Sequence, residues 1–193
     1  MMNNHGIYLL KWFSHSNIES IDIHDRIEEI DRFAFETANL KSISIGKNVK
    51  TISTNIFYRS PSLTNITINE ENQYFKMIDG VLFNDVEKSI ISYLLTKQDE
   101  HYEIPDGIQI LEWRSFSLNN HLKSVTIPSS INQINENVFA GSSNLQTVTF
   151  KGTKEPECQQ NSLSGLSSSL VIKVPTNYSG TTFCGKPVTK SST

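Results

Sequence analysis

The chain has little of what enzymes, metal proteins and membrane proteins display. Only two of its 193 residues are cysteine, Cys158 and Cys184, too few for a disulfide-framed scaffold and without the clustered histidines that a zinc site needs. No apolar run approaches the roughly 20 residues that span a bilayer as a helix, so direct membrane insertion is not expected. Seventeen Lys and Arg against twenty Asp and Glu give a formal net charge of −3, without the basic footprint of a nucleic-acid partner. The N-terminal MMNNHGIYLLKWF has no basic segment ahead of its short apolar stretch, and Lys11 follows at once. It is read as lacking a secretory signal, and its first methionine as internal to a longer product.

Chemistry-bearing constellations are equally scarce. The five histidines, His5, His15, His24, His101 and His121, are scattered, and none stands at a nucleophile or metal spacing from a cysteine or carboxylate. Gly141 and Gly152 sit singly and form no phosphate loop. Glu28, Glu29 and Asp31 are read as a solvated turn. The expectation is therefore no enzyme, no cofactor and no metal.

What the chain does have is a repeat. In IGKNVKTISTNIF, residues 45–57, the apolar positions Ile45, Val49, Ile52 and Phe57 are separated by four, three and five. In IPSSINQINENVF, residues 127–139, Ile131, Ile134 and Phe139 follow Ile127 at the same gaps. Neither a helical nor a strand period runs through them. Beyond each phenylalanine comes LxxIxI: Leu63, Ile66, Ile68 in one copy and Leu145, Val148, Phe150 in the other. A copy from Ile23 through Phe35 to Ile45 and another from Ile104 through Phe116 to Ile127 complete four, at a period of 22 or 23 residues. That period lies within the range of leucine-rich repeats.

LxxIxI alternates apolar with polar residues, which predicts a short half-buried strand in every copy, stacked in parallel with the next. IxxI predicts a second turn of the coil. The phenylalanine is expected in a short helical or irregular turn, one ring per rung. One rung cannot bury its own faces, so stability must come from stacking. The fold class expected is a β-rich repeat solenoid of the leucine-rich type with one inserted hairpin.

Ile18, Ile21 and Ile23 supply the tail of a further copy, residues 1–17 are read as a degenerate first repeat or N-terminal segment, and leucine-rich repeats are expected over 18–68. From Ile68 to Ile104 the rhythm breaks for 36 residues. Residues 69–103 are read as an irregular repeat whose MIDGVLF and KSIISYLL form a protruding hairpin about residues 84–87, entered through Asp79 and Gly80. Tyr74, Phe75, Phe83 and Tyr93 are its aromatic candidates, as anchors or as its own core. Repeats resume over 104–152, a cap follows over 153–187, and a disordered tail is expected over 188–193. For Cys158 and Cys184 two readings stay open. They are unpaired thiols, or a bridge across 26 residues that stabilises by roughly 3 kcal/mol.

Residues 104–150, IPDGIQILEWRSFSLNNHLKSVTIPSSINQINENVFAGSSNLQTVTF, closely resemble the BspA-like leucine-rich repeats. NQYFKMIDGVLF at 72–83 resembles the hairpin-bearing element that interrupts repeats in that family, and IKVPTNYSGTTFCGKP at 172–187 resembles the ending of surface-antigen members from parasitic protists. The resemblance implies a cell-surface or secreted adhesin-type protein whose partners are host or matrix proteins or other cell-surface proteins.

Strand alternation places Ser20 with Asp22, Ser42 with Ser44, Asn65 with Thr67, Ser124 with Thr126 and Thr147 with Thr149 outward, on what would be the concave face. Ser42, Ser44, Asn65, Thr67, Ser124, Thr126, Thr147 and Thr149 are the candidate ligand-binding residues. Serine and threonine also suit solvent-facing strands for their own sake. Asp22 is the one acid found among these outward positions, which argues against a β-helix hydrolase groove. An intracellular scaffold binding another protein through the same face is the alternative, favoured by the missing signal. Asn65 with Thr67 and Asn177 with Ser179 match glycosylation sequons.

Overall fold

The computed structural model describes residues 9–10, 18–32, 34–35, 39–57 and 60–191. The segment 1–17 lies outside them except for one short strand, as do the last two residues of the tail. Two compact units make up the chain, the first running to Val86 with Ile91–Thr96, the second holding Glu87–Ile90 and everything from Lys97. Each is a stretch of β-solenoid, and no helix occurs among the described residues. The phenylalanine positions therefore lie in irregular turns.

In the first unit the strands are β1 (Leu9–Leu10), β2 (Ser20–Asp22), β3 (Glu29–Ile30), β4 (Ser42–Ile45), β5 (Thr51–Ile52), β6 (Asn65–Ile68), β7 (Phe75–Ile78) and β8 (Val81–Asn84). β9 (Ser89–Tyr93) gives its last three residues to this unit and its first two to the second. The second unit continues with β10 (His101–Glu103), β11 (Ile110–Leu111), β12 (Ser124–Ile127), β13 (Gln133–Ile134), β14 (Thr147–Phe150) and β15 (Glu157–Cys158). It ends with β16 (Val171–Pro175), β17 (Thr182–Phe183), β18 (Lys186–Pro187) and β19 (Thr189–Ser191).

Each rung builds two parallel walls. LxxIxI supplies the first: β2, β4 and β6 pair in order in one unit, and β10, β12, β14 and β16 in the other. The register aligns Ile21, Ile43 and Ile66, then Tyr102, Val125, Val148 and Ile172. Period-two alternation of β-branched residues sends those side chains inward and the serines and threonines out. The second wall comes from IxxI, where Ile30 aligns with Ile52, and Ile90 with Leu111, Ile134 and Cys158.

The turn that carries each aromatic ring is fixed by backbone chirality. Two residues before the ring, or before Leu163 in its place, the chain enters the left-handed region at Asn55 (φ 66°), Arg114 (59°), Asn137 (56°) and Asn161 (60°). Two residues after it, Leu118 (60°), Gly141 (77°) and Gly165 (71°) do the same. Asparagine and glycine tolerate this conformation best. The turns also bond rung to rung, since Arg114, Phe116 and Leu118 donate their amides to the carbonyls of Glu136, Val138 and Ala140.

The first core stacks Phe35 on Phe57 at 5.8 Å. In the second, Tyr102, Phe116 and Phe139 form a ladder at 5.8 and 5.3 Å, and Phe183 covers Phe150 at 4.9 Å. Each fully buried ring contributes on the order of 2 to 3 kcal/mol.

Several expectations need correction. MIDGVLF is not one strand: β7 and β8 fold back on each other across Asp79 and Gly80, both at positive φ, so the tight turn lies inside the run. Ile91–Tyr93 then follows in the same unit, and the Leu94 amide bonds to the Gly80 carbonyl at 3.0 Å. The hairpin does not protrude as a separate small core. The expected reversal about residues 84–87 is present, since β8 lies between β7 and β9 in one sheet, and Phe75, Leu82, Ile91 and Leu94 belong to the core cluster of the first unit, because so short a run of strands holds its place only by burying such side chains.

The segment read as a cap contains a further rung. β15 and β16 continue both walls, Leu163 is buried at 2% exposure where a phenylalanine stands elsewhere, and Asn161 and Gly165 repeat the left-handed pair. The expected disordered tail is ordered through Ser191. β17 and β18 form a hairpin turning at Cys184 and Gly185, Cys184 is bonded to Cys158 with Cα atoms 5.3 Å apart, and β19 then pairs in parallel with β16. Lys190 Nζ donates to the Tyr178 carbonyl at 2.6 Å. The bridge and hairpin return the chain to the edge of β16, which ordinary strand pairing then covers.

Candidate functional site

The eight candidate residues fall four to each unit. In the first, Ser42 and Asn65 align with Ser20, and Ser44 and Thr67 with Asp22. Ser42 Oγ donates to Ser20 Oγ at 2.8 Å, while Asn65 and Thr67 are exposed. In the second unit Ser124 aligns with Thr147 and Thr126 with Thr149, all four half-buried. Within each unit the outward residues thus repeat at the interstrand spacing of about 4.8 Å, in two rows that carry hydroxyls in the second unit and mixed polar groups in the first.

The structure extends both rows of the second unit with residues that the sequence reading missed. His101 and Val171 flank the first row, and Glu103, Lys173 and Thr189 join the second. His101 Nδ1 lies 2.7 Å from Ser124 Oγ. HYEI at 101–104 and IKV at 172–174 carry the same alternation as LxxIxI, and that signal would have found them. Glu103 corrects the count of outward acids, since Asp22 is not alone. Lys151 Nζ neutralises Glu103, and Lys123 pairs with Glu100, so the face stays weakly charged. Such exposed pairs contribute little stability, typically below about 1 kcal/mol.

Phe75, Phe83 and Tyr93 are buried at 2%, 5% and 2% exposure and belong to the packing of the hairpin rather than to an exposed surface. Tyr74 is partly buried against the same core.

Two other features bear on what the surface can do. In the first unit a shallow groove of about 300 Å³ lies at the ends of β2, β4 and β6, lined among others by Asp22, Asp25, Ser44, Thr67 and Asn69. In the second, burial raises the pKa of Glu112 above the ordinary glutamate value, and Glu87 adds to it, against a 2.9 Å hydrogen bond from Asn135 Nδ2. Ser89 Oγ lies toward that carboxyl and favours its ionised form without reaching full hydrogen-bond geometry. Among the described residues no group of three or more His, Cys, Asp or Glu side chains is arranged to hold a metal ion, and no helix is long and apolar enough to cross a membrane.

Strands of one register, stacked at a period near 23 residues with a buried ring per rung, define a leucine-rich repeat protein. The chain belongs to the family of BspA type leucine-rich repeat regions, whose model matches six copies over residues 10–97 and 88–183. No curated protein matches it. In structure it is similar to a leucine-rich cell surface protein from Faecalibacterium prausnitzii, at 23% identity and a TM-score of 0.67, covering 89% of this chain and 52% of that one. It is also similar to a leucine-rich repeat protein from Eubacterium ventriosum, at 22% identity and 0.62, over 81% and 47%. The pneumococcal vaccine antigen PcpA is similar at 19% identity and 0.52, over 94% and 70%. The chain therefore spans about half the length of the first two. Repeats of this architecture are protein-interaction modules, with extended strand surfaces as binding faces.

Proposed function

We propose that the chain is a non-enzymatic, adhesin-type binding module, displayed at a cell surface or secreted, that holds a host or matrix protein against its outward strand face. The observation that carries this reading is the pair of in-register rows led by Ser124–Thr147 and Thr126–Thr149, solvent-reachable and nearly free of net charge. Such a face offers many hydroxyl hydrogen bonds and no large aromatic or arginine anchor, so each module binds modestly and gains strength from repetition. The Cys158–Cys184 bridge supports an oxidising compartment. An intracellular scaffold would require those two thiols to be reduced.

The test is binding of the purified chain to intact cells and to immobilised matrix proteins. Thr126→Arg with Thr149→Arg should abolish binding, and Ser129→Arg on an exposed turn should leave it unchanged. Equal binding by all three versions would remove the strand face from the mechanism. Free thiols in protein isolated from its source would turn the reading toward the intracellular scaffold.

A further inference from the structure

In the first unit two strand edges open into one groove. β6 ends the sheet of β2 and β4, and β7 pairs with β8 on one side alone. Asn65 and Asn69 donate their amides toward β4, to the carbonyls of Lys41 and Ile45, so alternation turns the backbone groups of Ile66 and Ile68 to the other edge. In β7 the residues that bond to β8 are Ile78, Lys76 and, through the Asp85 amide, Tyr74. Phe75 and Met77 face away, and Asn72 Oδ1 takes the Phe75 amide at 3.0 Å. Among the described residues the Met77 backbone groups remain without a partner.

These edges border a groove of about 510 Å³, walled by residues 66–70 and 75–78 together with Asn72. That volume lies within the range of small-ligand and peptide sites. Its rim carries Ile78, 52% exposed at the tip of the hairpin, beside the apolar lining of Ile68 and Met77.

We infer that this groove receives an extended segment of a partner protein as an added β-strand, hydrogen-bonded to the outer edge of β7 and covering that of β6, with apolar side chains on Ile68, Met77 and Ile78. Backbone donors and acceptors at two-residue spacing, open along an edge, match another strand better than a helix, a sugar or a small anion. Alternating apolar side chains fit because the lining is apolar at Ile66, Ile68, Met77 and Ile78 and polar at Thr67, Asn69 and Lys76. The inference rests on the protein-binding reading and gives it a second mode, one that takes an unfolded segment of the partner where the strand face takes a folded surface.

The experiment selects a random-peptide phage library on the full chain and follows amide hydrogen exchange with a selected peptide bound. Slowed exchange is expected at Ile66, Ile68 and Met77. Met77→Pro removes one edge amide and should weaken the peptide about tenfold or more, whereas Met77→Leu keeps the amide and should bind within about twofold. If Met77→Pro does not fold, Ile78→Asp on the exposed tip serves instead, with the same expected loss. Protection at other amides, undiminished binding by the proline and aspartate variants, or no selected peptide would overturn the inference. A concentration-dependent dimer abolished by Met77→Pro would replace the foreign segment with a second copy. Cell or matrix binding that persists while the groove takes no peptide refutes the groove alone; loss of both refutes the protein-binding reading as well.

Discussion

The rungs centred on Phe116 and Phe139 follow the same path with different residues at its two hardest points. Phe139 is flanked by Asn137 and Gly141, which enter the left-handed region at little expense, whereas Phe116 is flanked by Arg114 and Leu118 at nearly the same angles. Outside glycine and asparagine this conformation costs about 1 to 2 kcal/mol. Arg114 recovers part of it by stacking on Trp113 at 5.2 Å, and Leu118 lies over the position that Gly141 leaves open. The comparison teaches that the stack sets the backbone. A rung takes the path of its neighbours because its amides must meet their carbonyls, and side chains adapt.

The sharpest break removes what both rungs share. Phe116→Ala takes out a ring packed between Tyr102 and Phe139 and should cost about 3 to 5 kcal/mol in denaturant unfolding. If the loss were near 1 kcal/mol, the turns and not the ring ladder would hold the rungs together. Next is the third rung, that of Leu163, whose register depends on a covalent tie. Cys158→Ser with Cys184→Ser should cost roughly 3 kcal/mol, and exchange of the β19 amides should speed up before that of β14.

Gly141→Ala then imposes on the easy rung the strain that its neighbour already bears. The new Cβ would lie 2.7 Å from Leu118 Cδ2 at a φ of +77°, and a loss of about 1 to 2 kcal/mol is expected. A double variant with Leu118→Ala should recover part of it, since the clash is with a side chain. The smallest effect is electrostatic. Burial raises the Glu112 pKa in the folded chain, so the fold binds that proton more tightly than the unfolded chain does. The Glu112 contribution to stability is therefore fully present below the ordinary glutamate pKa and is lost as pH rises through the folded value. Glu112→Gln should flatten that dependence in thermal melts from pH 4 to 7 and raise the Tm at neutral pH by no more than about 2 °C, since solvent reaches the carboxyl.

Spacing made the repeated rungs legible. The gaps of four, three and five locate Val49, Ile52 and Phe57 or Ile131, Ile134 and Phe139 in the core without any structure, because each rung must present the same inward positions to its neighbours. The rows through Ser42, Asn65, Ser124 and Thr147 follow from strand alternation alone. The rung at Cys158 and Leu163 was not legible because a cysteine and a leucine stand where isoleucine and phenylalanine stand elsewhere, inside a polar stretch. The turn within MIDGVLF was hidden for a related reason: Asp79 and Gly80 mark a reversal, but an apolar run does not say on which side of it the strand begins.

By itself the sequence determined the repeat period, the parallel walls and the family, since one-dimensional stacking ties each contact to a fixed step along the chain. Tertiary structure alone decided that the hairpin joins the first core, that Cys158 meets Cys184, and that Thr189–Ser191 becomes a strand beside β16. Those contacts break the period. They depend on which surface a segment reaches after it turns, and that is settled by the apolar area and the free strand edge waiting there.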